Sequence, residues 1–234
     1  MFPISRHSGA TAMSSTKIAA FPAHSTLIIP GFQGSGPGHW QTWLEHQLPE
    51  ARRVSGIDWG APVLANWADS IRLAIQHAPE PVWLVAHSFG CLAAVTAGNA
   101  LASRVAGALL VAPGDPDRFS ARGLRESETS GSSIGSDLPR DLLGFPTLIV
   151  ASGDDPWMRP ARVAYWADRW GSTVVNAGKV GHLNEASGFG PWPEGLALLQ
   201  SFQAWQSRGL GAPMHIQSAV APRGDLGLRA RPTA

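Results

Sequence analysis

The sequence predicts an α/β protein with a mostly parallel sheet of about six strands and helices on both faces. Three observations predict it. Short apolar runs alternate with helix-length segments along most of the 234 residues. Several of those runs, "VWLVA" at 82–86 above all, lack the apolar–polar alternation of a half-exposed strand, as expected for a parallel strand covered on both sides. No period of 20–50 residues recurs, so a repeat architecture is not indicated.

Each element has its own signal. "TLIIP" at 26–30 is a strand that ends in the turn pair Pro30-Gly31. "HWQTWLEHQL" at 39–48 then sets Trp40, Trp43, Leu44 and Leu48 at helical spacing. A weaker strand near 51–55 precedes "LANWADSIRLAIQHA", in which Trp67, Ile71, Ala74 and Ile75 share a helical face. "VAGALLVA" at 105–112, "PTLIVAS" at 146–152 and "STVVNAG" at 172–178 are further strands. "ARVAYWADRW" at 161–170 and "PEGLALLQSFQAWQSR" at 193–208 are helices. Residues 113–141 break the rhythm: they are polar and rich in Gly and Ser, the composition of a long loop that carries at most a turn of helix. The unpatterned residues 1–24 and the Gly/Pro/Arg-rich residues 209–234 are expected to be a flexible leader and tail around a domain at 25–208.

Composition excludes several classes. The 18 Lys+Arg against 17 Asp+Glu leave a formal net charge of +1, too little to recruit nucleic acid. The longest apolar runs fall far short of the roughly 20 residues that span a bilayer, and the first 20 residues lack the apolar core of a secretory signal, so no membrane association is expected. The single cysteine, Cys91, permits no intramolecular disulfide and is compatible with a reducing, cytoplasmic setting.

The chemistry concentrates where "VWLVAHSFGC" passes from strand to helix. A serine at the carboxyl end of a parallel strand sits where open α/β sheets bind ligands. Ala86 and Gly90, two residues to either side of Ser88, are small, as required where an incoming strand and an outgoing helix nearly touch. The pattern matches the nucleophile elbow G-x-S-x-G with alanine for the first glycine. A serine hydroxyl needs a base to take its proton and a third group to orient that base. Both follow in the chain order of this architecture: "SGDDPW" after one strand offers Asp155, and "GKVGHLNEASG" after the last offers His182. Asp155 is preferred because it directly precedes Pro156 and Trp157 as the chain turns into the next helix; Asp154 stays the alternative. An oxyanion also needs donors. One is the backbone N–H of Phe89 at a helix start; the other is sought in "PGFQGSGPGHW", at Phe32 or Gln33. That glycine-rich loop lacks the Lys-Ser/Thr of a phosphate-binding loop.

Other candidates are weaker. A serine after a strand is often only a helix N-cap, and an Asp pair before proline a turn. His87 is either a contact behind the site or a packed side chain, while His39 and His46 read as solvated on an exposed helical face rather than as metal ligands. Cys91 reads as a small buried residue. Of the ten tryptophans, Trp40, Trp43, Trp67, Trp166 and Trp170 fall at core spacing, whereas Trp59, Trp157 and Trp192 lie in loops at the active edge and are candidates to line a substrate pocket.

"IIPGFQGSG…HW", "AHSFGC", "SGDDPW" and "GHLNEASGFGPWPEG", in this order, resemble the small single-domain α/β-hydrolases of the retinoblastoma-binding protein nine type, a family of serine hydrolases. The resemblance spans roughly residues 26–206, and Ala86 departs from the glycine common in such elbows. It implies an α/β-hydrolase fold, with Ser88 as nucleophile, Asp155 as acid and His182 as base. Together with the residues themselves, it leads to the expectation of a serine hydrolase that uses no metal or cofactor. Such an enzyme acts on a small ester, thioester or amide, and no inserted cap domain is evident. The rivals are a non-catalytic adaptor on the same scaffold and an acyltransferase using the same three residues.

Overall fold

Successive residues of a strand point to opposite sides of its sheet, and here both sides are covered. The structure, a computed structural model, describes residues 25–127 and 131–209; the expected leader at 1–24 and residues 210–234 of the expected tail lie outside the described residues. Along the chain these form β1 (Thr26–Ile29), α1 (Trp40–Gln47), β2 (Ala51–Arg53), α2 (Leu64–His77), β3 (Val82–His87), α3 (Phe89–Ala100) and β4 (Val105–Val111). Then come β5 (Phe119–Ser120), β6 (Gly123–Leu124), β7 (Thr147–Ala151), α4 (Pro160–Trp170), β8 (Thr173–Asn176) and α5 (Pro193–Ser207).

Six strands make one parallel sheet in the order β2-β1-β3-β4-β7-β8. Leu27, Ile29, Leu84, Ala86, Leu110 and Ile149 face a core shared with α2, α3 and α4. The intervening Ile28, Val85, Leu109, Val111 and Val150 face a second core shared with α1 and α5. The expected helical faces pack as read: Ile71 and Ile75 of α2 are fully buried, each contributing about 1.5–3 kcal/mol by leaving water. Helix α4 starts with Pro160 and stops at Gly171, whose φ of 66° is left-handed and closes the last turn.

Over its described residues, the 113–141 segment holds more regular structure than its composition suggests. It holds 3-10 turns at Pro116–Arg118 and Ile134–Ser136 and the two-residue antiparallel ribbon β5-β6. Its few apolar side chains anchor it, since Phe119, Ile134 and Leu138 are all buried. Phe119 packs on Phe89 of α3 with ring centroids 4.5 Å apart.

Strand order sets where a ligand belongs. From β1 the chain moves to β2 on one side and then to β3 on the other, so the loops leaving β1 and β3 diverge and open a crevice at their carboxyl ends. Gly90 lets α3 close on that crevice. A Cβ there would lie 2.3 Å from the Pro30 carbonyl oxygen and 2.8 Å from that of Ile29. The small residue is therefore required by the neighbouring strand β1, not by the incoming strand as the sequence suggested. Replacing Gly90 with Ala is expected to destabilise the fold by about 2–3 kcal/mol through overpacking, read as a lower urea midpoint; an unchanged midpoint would contradict this packing.

Candidate active site

Ser88 occupies the single residue between β3 and α3, at φ 52° and ψ −126°. This conformation is uncommon for a residue with a side chain and costs about 1–3 kcal/mol. It is held by the Ser88 N–H donating to Val111 O at 3.1 Å and by Cys91 N–H donating back to Ser88 O at 3.0 Å. The serine hydroxyl does not cap α3. Instead Ser88 Oγ lies 2.9 Å from His182 Nε2. Gly31, at the end of β1, makes room for it, because a Cβ at 31 would stand 2.7 Å from Ser88 Cβ.

Nδ1 of His182 is 2.9 Å from both carboxylate oxygens of Asp155. A carboxylate only accepts, so Nδ1 carries the proton and Nε2 is left with a lone pair toward the serine hydroxyl. All three side chains are buried, with Ser88 at 7%, Asp155 at 8% and His182 at 5% exposure. Asp155 Oδ1 also accepts from the Trp157 N–H at 2.8 Å.

Asp154 points elsewhere. Its Oδ1 accepts from Gly181 N–H at 2.9 Å and from Ser152 Oγ at 2.8 Å, and these bonds, Gly181 first, hold its carboxyl below the ordinary carboxylate range. Ser152 Oγ in turn accepts from Val180 N–H at 3.0 Å, and Gly153 N–H donates to Gly178 O. The loop bearing the acid thus grips the loop bearing the histidine. His182 N–H donates to Ser187 Oγ at 3.1 Å, the His182 carbonyl lies 2.9 Å from His87 Nε2, and Trp40 Nε1–H donates to Leu183 O at 2.8 Å. Sequence reasoning missed Ser152, Ser187 and the bond that Trp40 makes to this loop, and offered Asp154 as a turn residue or the alternative acid rather than as a tie between the loops. The signal for Ser187 was the Asn184-to-Ser187 spacing, since Asn184 Oδ1 accepts from both the N–H and the hydroxyl of Ser187.

The oxyanion donors separate. Phe89 N–H opens α3, where amides lack intrahelical acceptors, and Gly114 keeps a side chain away from it, since a Cβ at 114 would come within 3.5 Å of the Phe89 nitrogen. Gln33 N–H is already engaged, donating to Trp59 O at 2.7 Å. This removes Gln33 as a donor and leaves Phe32 of the two. Gln41, fully buried on α1, braces this loop: its Nε2 donates to Ile29 O and Val85 O at 3.1 and 3.2 Å, and its Oε1 accepts from Ser35 Oγ at 2.7 Å.

Of the three loop tryptophans, Trp157 lies beside the site, its ring 5.7 Å from that of His182 with the Arg118 guanidinium 4.9 Å over it. Trp59 is half-buried against Trp67 at 4.9 Å. Trp192 is a correction. It is 2% exposed and packed edge-on against Trp40 and Phe189 in the α1–α5 core, so it offers no surface to a ligand. His46 is exposed as expected, but His39 is not: it is 4% exposed and caps α1, Nδ1 accepting from Gln41 N–H at 3.2 Å. Cys91 is fully buried, which pushes its thiol pKa well up.

Among the described residues no group of three His, Cys, Asp or Glu side chains is arranged to hold a metal ion, and no helix is long and apolar enough to cross a membrane.

The serine hydrolase family model matches residues 26–201. Among solved structures, a protein described as a YdeN-like hydrolase from Pectobacterium atrosepticum is 35% identical, with a TM-score of 0.69 over 78% of this chain and 91% of its own. The ydeN gene product of B. subtilis is 25% identical, with a TM-score of 0.61 over 77% and 99%. A protein from Xanthomonas campestris described as a hydrolase of the α/β superfamily is 15% identical, with a TM-score of 0.54 over 80% and 98%, and shows the fold alone. No curated protein matches the chain.

Burial makes the histidines behind the site sensitive to acid. His39 is pushed down from 6.5 to about 4, by burial first and then by Arg53 and His182. Above pH 6.5 it is neutral folded and unfolded. As pH falls from 6.5 toward 4 only the unfolded chain takes up the proton, so stability declines, by about 3 kcal/mol for this group. The urea midpoint is expected to fall between pH 7 and pH 4.5, and His39→Asn, which keeps an acceptor for the cap, to flatten the slope. An unaltered slope in that variant would contradict the assignment.

Proposed function

The chain belongs to the serine hydrolase family, and on that premise we propose that it cleaves a small ester, thioester or amide through an acyl-enzyme on Ser88. The observation that carries this reading is the continuous pairing of Ser88 Oγ with His182 Nε2 and of His182 Nδ1 with Asp155, each at 2.9 Å. His182 Nε2 takes the hydroxyl proton as Ser88 Oγ attacks the substrate carbonyl carbon. Asp155 keeps the imidazole in the tautomer that can accept and stabilises the imidazolium that forms. The developing oxyanion lies toward the N–H groups of Phe89 and Phe32, the former at a helix start whose dipole favours negative charge. When the tetrahedral species collapses, the bond to the leaving group breaks and His182 delivers the proton to it. Water then enters and gives a proton to His182 Nε2 as its oxygen attacks the acyl carbon; collapse breaks the bond to Ser88 Oγ, which takes that proton back from His182, and the acid leaves.

These side chains themselves supply nucleophile, base and orienting charge, so the cycle calls on no metal or cofactor. Trp157 and Trp59 are the aromatic surfaces we assign to the substrate, with Phe32 between the two roles. Within the family, the motifs around Ser88, Asp155 and His182 support a place beside the retinoblastoma-binding protein nine type, with carboxylesterase-like specificity. The domain bounds are set at 25–208, and the buried free thiol of Cys91 fits a cytoplasmic setting.

With p-nitrophenyl esters of graded length as substrates, Ser88→Ala is expected to lower kcat about a million-fold and Asp155→Asn about ten-thousand-fold, while Asp154→Asn has a far smaller effect. Near-wild-type turnover by Ser88→Ala would overturn the reading. Failure of the wild-type serine to react with a fluorophosphonate would favour the adaptor, and product formed only with an added alcohol or amine would favour an acyltransferase.

A further inference from the structure

His87 immediately precedes the nucleophile, yet its side chain faces away from the reacting atoms and toward the back of the base. It is 4% exposed, and its Nε2 lies 2.9 Å from the backbone carbonyl of His182. A carbonyl oxygen only accepts, so Nε2 carries the proton and donates. Packing fixes the ring: His39 is 5.0 Å away edge-on, Trp40 6.1 Å away edge-on and the His182 imidazole 4.9 Å away. On its remaining side Gly31 has no side chain, where a Cβ would stand 3.2 Å from His87 Nδ1. Burial, followed by the neighbouring His182 and His39, holds the pKa of His87 well below the ordinary histidine value, so at neutral pH the ring is a neutral single donor.

The bonds close a ring. Ser88 Oγ meets His182 Nε2, the His182 carbonyl meets His87 Nε2, and His87 is joined to Ser88 by one peptide bond at the end of β3. The strand that carries the nucleophile therefore also holds the backbone of the base. Resting on the triad reading above, we propose that His87 is a positioning residue that sets the distance between Ser88 and His182 by holding the His182 carbonyl. It touches no substrate. The other anchors of this loop, at Val180, Gly181 and Leu183, tie it to the acid loop and to α1; among the described residues only His87 hydrogen-bonds it to the nucleophile's own strand.

The test compares His87→Leu, which removes the donor, with His87→Gln, whose amide nitrogen reaches to a similar distance and keeps it. For a p-nitrophenyl ester, His87→Leu is expected to lower kcat about 10- to 100-fold, the range that follows from misplacing a reacting group by up to an ångström, with KM within about twofold. His87→Gln is expected to recover most of the loss, and the rate of fluorophosphonate labelling of Ser88 to follow kcat in both. A folded His87→Leu with wild-type kcat and labelling, or a His87→Gln no better than His87→Leu, would overturn the proposal while the triad stands. If wild-type Ser88 does not label at all, the triad reading fails instead. Should His87→Leu not fold, nitrogen-15 NMR of the wild-type imidazole decides: a proton on Nε2 of His87 supports the proposal, and an unprotonated Nε2 ends it.

Discussion

The whole site depends on one sharp reversal of the backbone, the left-handed turn at Ser88 between a buried strand and a buried helix. Its cost is borne by what surrounds it. Ser88 N–H is bonded to the adjacent strand β4, and α3 can swing straight back across the sheet because Gly90 lies directly on the carbonyls that end β1. With the turn fixed, the hydroxyl meets the His182 imidazole at the edge where the strand order reverses, and α3 begins at the very next residue. A more relaxed serine would point its hydroxyl at the helix as a cap, and none of the later chemistry would be available.

His182 and Asp155, the proposed base and acid, follow separate strands, and a loop on a sheet edge is mobile unless tied down. Here the ties are unusually dense for a few residues. Val180, Gly181, His182 and Leu183 each have a backbone group bonded to a side chain from elsewhere: Ser152, Asp154, Ser187 with His87, and Trp40. Preorganisation of this kind lets an imidazole meet a hydroxyl without an entropic cost at each turnover. It also explains why so much polar surface is buried behind the site, with Gln41, His39 and His87 all below 5% exposure.

The parts legible in the sequence are those that local pattern encodes. Burial on both faces forces unbroken apolar runs, so 82–86 and 146–152 announced parallel strands, and Ser88 and Asp155 could be placed at one edge because each follows such a run, with His182 after the shorter strand at 172–178. What stayed hidden depends on contacts between distant segments. His39 continued a helical pattern and read as solvated, but as the residue before α1 it turns its ring inward against His87. Trp192 has loop neighbours in sequence, yet its large apolar ring is taken by the core between α1 and α5. Nothing local shows that the Gln33 amide is occupied by Trp59, nor that Asp154 reaches across to Gly181. The β5-β6 ribbon has two residues per strand, too few for any period to register.

In the proposed cycle the convergence of a hydroxyl, an imidazole and a carboxylate makes Ser88 an acyl carrier. The most direct measurement is to quench the protein during reaction with a slowly deacylating activated ester and to map the adduct by peptide mass spectrometry. One acyl group per chain is expected, on the peptide carrying Ser88, and none when His182 is replaced by alanine. Hydrolysis proceeding with no adduct, or an adduct confined to another residue such as Cys91, would contradict that cycle.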